Sequence, residues 1–347
     1  MKGVKKIRRF FLGHRKSLFI SLFGAVLLFP VLEGRFCAQT SSAHAAASCF
    51  RPASWLSPSS SVPPPSSVET HPSRRLYCTE EDRVIFARYL AFAQSRHLLT
   101  DTVPFADLVI ETARFFLGTP YVASTLEKEP EGLVVNFRQM DCTTFVENVL
   151  ALARTLQALR SLPDAPSPFE VFCNQLQQLR YRRGTISDYT DRLHYMTDWI
   201  YENARKGWVE DVNAAIGGEP LPLSLSFIST HPGSYKQLVD RPDRIRKMEE
   251  IEKEINARRY FYLAKANILP AASSLQNGDV VCFATTIPGL DVTHVGFVYR
   301  HRGTVTFIHA SSAAKKVIIN EESLQEYTAR MKSNRGILLA RPLPAGR

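Results

Sequence analysis

The hydrophobic period of the chain changes at Pro270, and that change narrows the folds open to it. Before Pro270, apolar residues recur chiefly at helical spacing; after it, short apolar runs follow the two-residue period of a strand. Asn277-Gly278-Asp279 supplies a turn before Val280 to Ala284, a loop with Pro288-Gly289 leads into Val292 to Tyr299, and Arg302-Gly303 separates that run from Thr304 to Ala310. Val317 to Ile319 and Gly336 to Ala340 read as further strands, with a helix over Leu324 to Met331. Segregated helices and strands predict an α+β chain in which a helical lobe precedes an antiparallel sheet.

The helical part reads as follows. Val84, Ile85, Tyr89, Leu90 and Phe92 predict a first helix over 82–97, and residues 104–117 a second, ended by Gly118-Thr119-Pro120. Residues 121–139 read as a loop with a short strand near Leu133 to Val135. Helices are expected from Cys142 to about Leu159, over 170–179 and over 191–206, and residues 180–185 read as an exposed loop. Loops and short strands are expected over 207–234. Ile245, Met248, Ile251 and Ile255 among alternating charges predict a surface helix over 241–262.

The first eighty residues have a different character. Lys2, Lys5, Lys6, Arg8, Arg9, Arg15 and Lys16 precede an apolar run from Leu18 to Phe29 that has the length of a signal-peptide core and is short for a spanning helix. Residues 1–45 therefore read as a signal peptide or membrane leader, with cleavage after Ala45 or lipidation at Cys49 as alternatives, and the protein is expected to be exported, periplasmic or associated with the outer envelope. Residues 46–79, rich in Ser and Pro, read as a linker with too little apolar surface to fold. Residues 80–345 read as the folded part of the chain. Much of the formal charge of +10 resides in the leader. With no basic stripe interleaved with aromatics downstream, nucleic acid is not an expected partner.

Cys142 stands out among the six cysteines. If Asp141 caps a helix beginning at Cys142, then Phe145, Val146, Val149, Leu150 and Ala153 fall on the face that carries the sulfur. A helix start offers unpaired N–H groups and a positive dipole end, both of which favour a thiolate. Cys78, Cys173 and Cys282 read as small buried apolar residues or as the source of one disulfide, and no spacing suggests a zinc site. In the sheet, alternation puts His294 on one face with Gly296 and Val298, and His309 can approach it from the next strand. Cys142 as nucleophile, His294 as proton acceptor and His309 as the group that orients it make a workable cysteine hydrolase. Tyr121 is either a core aromatic or an oxyanion donor. Asp141 is a cap or a substrate contact, Asp279 a turn residue, and Asp291 a capping or site residue.

The motifs together carry a resemblance. Asp141-Cys142-Thr143-Thr144-Phe145-Val146 is similar to the Asp-Cys-Ser-Gly-Phe-Val signature of NlpC-type cell-wall cysteine peptidases, and Gly118-Thr119-Pro120-Tyr121 resembles their upstream tyrosine segment. Asn277 to Val281, His294 to Val298 and Phe307 to Ser311 follow in that superfamily's order. The Asp-Cys-Thr-Thr-Phe-Val-Glu form and the 152-residue separation of Cys142 from His294 resemble, more narrowly, the N-acetylmuramoyl-L-alanine amidase-like family. The resemblance implies a papain-like catalytic domain over 80–345 with a large insertion at about 160–270, an acyl-enzyme on Cys142, and peptidoglycan or soluble muropeptide fragments as substrate. It implies no cofactor and no metal; a monomer is expected. Asp141, Thr143, Asp291 and Ser311 are the expected substrate contacts. Thr143-Thr144 in place of Ser-Gly would alter the wall near the helix start. A γ-D-glutamyl stem-peptide endopeptidase and an inactive exported glycan-binding protein are the alternatives.

Overall fold

The structure is a computed structural model that describes residues 74–161 and 167–345. The leader, Cys49 and nearly all of the linker lie outside the described residues. In chain order the elements are β1 (Leu76–Tyr77), α1 (Glu80–Ser95), α2 (Phe105–Phe115), β2 (Leu133–Val134), α3 (Cys142–Ser161), α4 (Pro168–Arg180) and α5 (Met196–Arg205). There follow β3 (Val209–Asp211), β4 (Glu219–Pro220), α6 (Phe227–Thr230), α7 (Pro242–Asn256) and β5 (Phe261–Ala264). The chain ends with β6 (Val280–Thr285), β7 (Val292–His301), β8 (Thr304–Ser311), β9 (Lys316–Ile319), α8 (Leu324–Arg330) and β10 (Asn334–Pro342).

The predicted α+β order holds: a helical region is followed by an eight-stranded antiparallel sheet ordered β4-β5-β10-β6-β7-β8-β9, with β3 also on β10. The sheet buries both faces. On one, Val280, Cys282, Val295, Phe297 and Ile308 join the helices in the larger core; on the other, Val281, Phe283, Val298, Phe307 and Leu339 pack beneath Leu324 and Tyr327 of α8. Alternate residues of one strand thus serve two cores, which explains why β6 is buried throughout and reads as a near-continuous apolar run. Phe145 of α3 meets Phe297 of β7 edge to face at 5.7 Å, locking the cysteine helix to the sheet.

Three expectations change. The helix expected to reach residue 262 stops at Asn256, and Phe261–Ala264 pairs with β10 and β4 as a strand. The segment around 160–270 therefore supplies β3, β4 and β5 to the same sheet as well as helices. Arg180 and Tyr181, expected in an exposed loop, are only 2% and 1% exposed, because Arg180 meets the carboxylate of Glu147 at 2.5 Å and donates to the Val134 carbonyl. Among the described residues no helix is long and apolar enough to cross a membrane.

Candidate active site

Two local devices set the cysteine in place. Asp141 caps α3: its carboxylate accepts from the N–H and hydroxyl of Thr144, each at 2.8 Å, while the Thr144 hydroxyl accepts from the Asp141 N–H at 2.9 Å. Such reciprocal caps are worth roughly 0.5–2 kcal/mol. The segment before the cap is stitched to the Gly-Thr-Pro-Tyr stretch, with Met140 N–H donating to Pro120 O and Val122 N–H to Met140 O. Tyr121 N–H donates to Lys315 O, tying the same stretch to the turn before β9. Backbone pairing therefore brings Tyr121 beside Cys142, although the two lie twenty-one positions apart in sequence.

The histidines are placed by the hairpin of β7 and β8. Arg302 (φ 49°) and Gly303 (φ 81°) both take left-handed backbone, the conformation of a two-residue hairpin turn, and set His301 opposite Thr304 and Phe297 opposite Ile308. One further step brings Gly296 against His309, whose Cβ would lie 3.0 Å from a Cβ built on that glycine. His294 and His309 are then diagonal neighbours on one face, within reach of aromatic rings. Their rings meet edge to face with centroids 4.8 Å apart, and Nε2 of His294 lies 2.6 Å from Nδ1 of His309. His294 also leans on Phe283, its partner across β6.

The Cys142 sulfur is fully buried and hydrogen-bonds the backbone of Val295, the residue after His294. Tyr121 and His294 are half-buried. The helix start does not prevail over burial: burial, with the Asp141 charge adding to it, pushes the thiol up to about 12, against the pull of Val295 and Thr143. Burial therefore opposes the thiolate that the helix start favours, because a buried anion loses more hydration than one dipole end returns. Burial pushes His294 down to about 4, and burial with the His294 charge holds His309 well below the ordinary imidazole range. Both rings are neutral at neutral pH. Tyr121 is raised by burial and then by the charges of Cys142 and Asp141, so it keeps its proton for donation.

The expected substrate contacts separate. Thr143 faces the sulfur with both its backbone and its hydroxyl. Asp141 is buried as the cap. Asp291, 3% exposed, accepts from the N–H and hydroxyl of Thr197 at the start of α5 and from the N–H of Val292. The Ser311 hydroxyl accepts from Ala314 N–H in the turn after β8. Asp279 closes a turn onto Gln276 N–H and also pairs with Arg341 of β10. Cys78, Cys173 and Cys282 carry free thiols. Among the described residues no group of three or more His, Cys, Asp or Glu is placed to hold a metal ion.

Tyr327 is a site neighbour that sequence reasoning missed. Burial raises it to about 12 and the Cys142 charge adds to the rise, while its ring packs on Phe283, Phe307 and His309. The Ser323-Leu324-Gln325-Glu326 capping box that starts α8 is legible in the sequence. That α8 turns Tyr327 toward the histidines depends on how it packs on the sheet.

A helix-start cysteine bonded to the backbone of Val295, a histidine pair that includes its neighbour His294, and a tyrosine near the cysteine make up the candidate site of an α+β fold. Residues 111–337 match the family model described as N-acetylmuramoyl-L-alanine amidase-like, and the chain belongs to that family. A structure named as an N-acetylmuramoyl-L-alanine amidase from Bacteroides uniformis is 36% identical, aligns over 69% of this chain and 99% of its own, and superposes with a TM-score of 0.63. A structure named as a putative xylanase from Bacteroides fragilis is 38% identical over 67% of this chain and 99% of its own, with a TM-score of 0.61. A Legionella pneumophila protein, at 23% identity, 76% and 97% coverage and a TM-score of 0.54, shares the fold. No functionally curated protein matches the chain significantly.

Proposed function

We propose that this protein is a cysteine-dependent N-acetylmuramoyl-L-alanine amidase that cleaves the amide between the lactyl group of muramic acid and L-alanine in peptidoglycan fragments. The observation that carries the reading is the meeting of His294 with His309 next to Val295, on which the Cys142 sulfur rests. His294 takes the thiol proton as the sulfur attacks the lactyl carbonyl, and later protonates the leaving amine of L-alanine. Tyr121 and the Cys142 N–H stabilise the oxyanion. Water, activated by His294, then hydrolyses the thioester. Thr143 lines the site, and the segment of about 160–270 shapes the glycan and peptide pocket of a papain-like, NlpC-type catalytic domain acting after export.

The name of the Bacteroides fragilis relative points to a glycosidic bond instead. Glycoside hydrolysis ordinarily needs two carboxyl groups flanking that bond. Asp141 and Asp291, the acids nearest the cysteine and the histidine strand in sequence, are committed to the starts of α3 and α5. That commitment favours amide chemistry.

Mass analysis of products from muramyl-L-alanine peptides and from sugar-free stem peptides tests the proposal. Release of intact muramic acid and an L-alanine-terminated peptide is expected, with no turnover by Cys142→Ala. Cleavage of the sugar-free peptide after D-glutamate would assign the protein to stem-peptide endopeptidases.

A further inference from the structure

His309 has a second ring nitrogen, and its surroundings bear on which atoms of the site carry protons. Nε2 of His309 is buried and has no hydrogen-bond partner among the described residues. His309 lies opposite Ile318 on β9, so Asn320, two residues on, emerges on the same face of the sheet, beside Phe307. Asn320 is anchored at three points. Its N–H donates to Phe307 O at 2.9 Å, its carbonyl accepts from the Thr306 hydroxyl at 2.7 Å, and its side-chain Nδ2 donates to Glu322 O at 2.9 Å. With the amide nitrogen committed to Glu322, the carboxamide oxygen is the end left for His309. The electrostatics of His309 agree: the Asn320 side chain favours protonation of the ring, as an oxygen does and an N–H does not.

We infer that Asn320 is a positioning residue that sets the tautomers of the histidine pair. Its oxygen holds the His309 proton on Nε2, so His309 presents a bare Nδ1 to His294. Across the 2.6 Å contact, His294 must then be the donor, through Nε2–H. An imidazole protonated on Nε2 keeps its lone pair on Nδ1, and that nitrogen is the one available to the thiol. The opposite tautomer of His309 would turn a buried lone pair toward the Asn320 oxygen and a second donor toward His294. The relay thus runs from the Glu322 carbonyl through Asn320 and His309 to His294. No proton crosses it during turnover; it fixes where the base is.

The inference rests on the reading of Cys142 and His294 as the reacting pair, so its test is chosen to be legible without turnover. In the full chain with nitrogen-15-labelled histidine, His309 and His294 are assigned by His309→Gln and His294→Gln. Both rings are expected to carry their proton on Nε2 at neutral pH. Asn320→Leu, close in size but with no acceptor, should mix or invert the His309 tautomer, lower kcat about tenfold to a hundredfold and leave KM within about twofold. Asn320→Asp keeps an acceptor and should restore both the tautomer and most of kcat. A wild-type His309 protonated on Nδ1, or a folded Asn320→Leu protein with unchanged tautomers, overturns the assignment. Should Asn320→Leu fail to fold, the wild-type and Asp spectra still decide. Correct tautomers in a protein that cleaves no amide would sink the amidase reading and leave Asn320 in its role.

Discussion

A Cβ added to Gly296 would stand 3.0 Å from Cβ of His309 and 2.7 Å from the Ile308 carbonyl, so the glycine is the space into which His309 fits. Neither neighbour can yield easily, since Ile308 O is backbone and His309 is held against His294. Gly296→Ala is expected to destabilise the protein by about 1–3 kcal/mol through overpacking. Its loss of kcat should persist at temperatures where the variant is fully folded. Calorimetry beside steady-state kinetics checks this, and wild-type kcat in a destabilised variant would separate Gly296 from the site.

His309→Ala removes the group that holds the His294 ring without removing the base. Turnover is expected to fall about tenfold to a hundredfold with KM nearly unchanged, because the lost contact acts on the proton transfer and not on ground-state binding. Initial-rate kinetics on a muramyl-L-alanine peptide separates the two constants. A rise in KM at constant kcat would make His309 a substrate contact instead.

How much of this was legible in the sequence follows from the range of the forces involved. Strands β6, β7, β8 and β10 declare themselves because turn residues and apolar runs are local signals, and the hairpin at Arg302-Gly303 fixes the diagonal placement of His294 and His309. The Asp141 cap is local too. Strand β5 was hidden because Phe261–Ala264 is only four residues long and directly follows a strong helical pattern, and its partner β10 lies some seventy residues away. Arg180 looked exposed because its partner Glu147 is thirty-three residues distant. The setting of the Cys142 thiol divides along the same line. The helix end can be read locally, whereas the burial that outweighs it is assembled from the whole sheet.

Glu147 and Arg180 form an ion pair with both side chains 2% exposed, which joins α3 to α4 and, through Val134 O, to β2. Replacing one partner strands the other charge in the core. Glu147→Ala is expected to lose about 3–5 kcal/mol, whereas Glu147→Leu combined with Arg180→Met should lose much less. Denaturant midpoints at constant slope give both numbers. A double variant that loses more than Glu147→Ala would mean that the Arg180 contact with Val134 O, and not the ion pair, dominates.

Cys142 and His294 set the pH behaviour of the site, and the signs can be worked through. A thiol raised to about 12 stays protonated across the working range, so its alkylation by iodoacetamide should rise steadily with pH through 9, without the plateau of an activated thiolate. His294 acts as base only when neutral. With its pKa lowered to about 4, kcat/KM should hold on acidification below the ordinary imidazole value near 6.5 and fall only as pH approaches 4. Asp141 adds to the elevation of the thiol, and asparagine caps a helix as well as aspartate does. Asp141→Asn should therefore lower the thiol pKa and speed alkylation at pH 8 while the melting temperature changes little, with Cys142→Ala identifying the labelled residue. An alkylation plateau near pH 6 in the wild type would contradict the neutral thiol and indicate that the helix end outweighs burial after all.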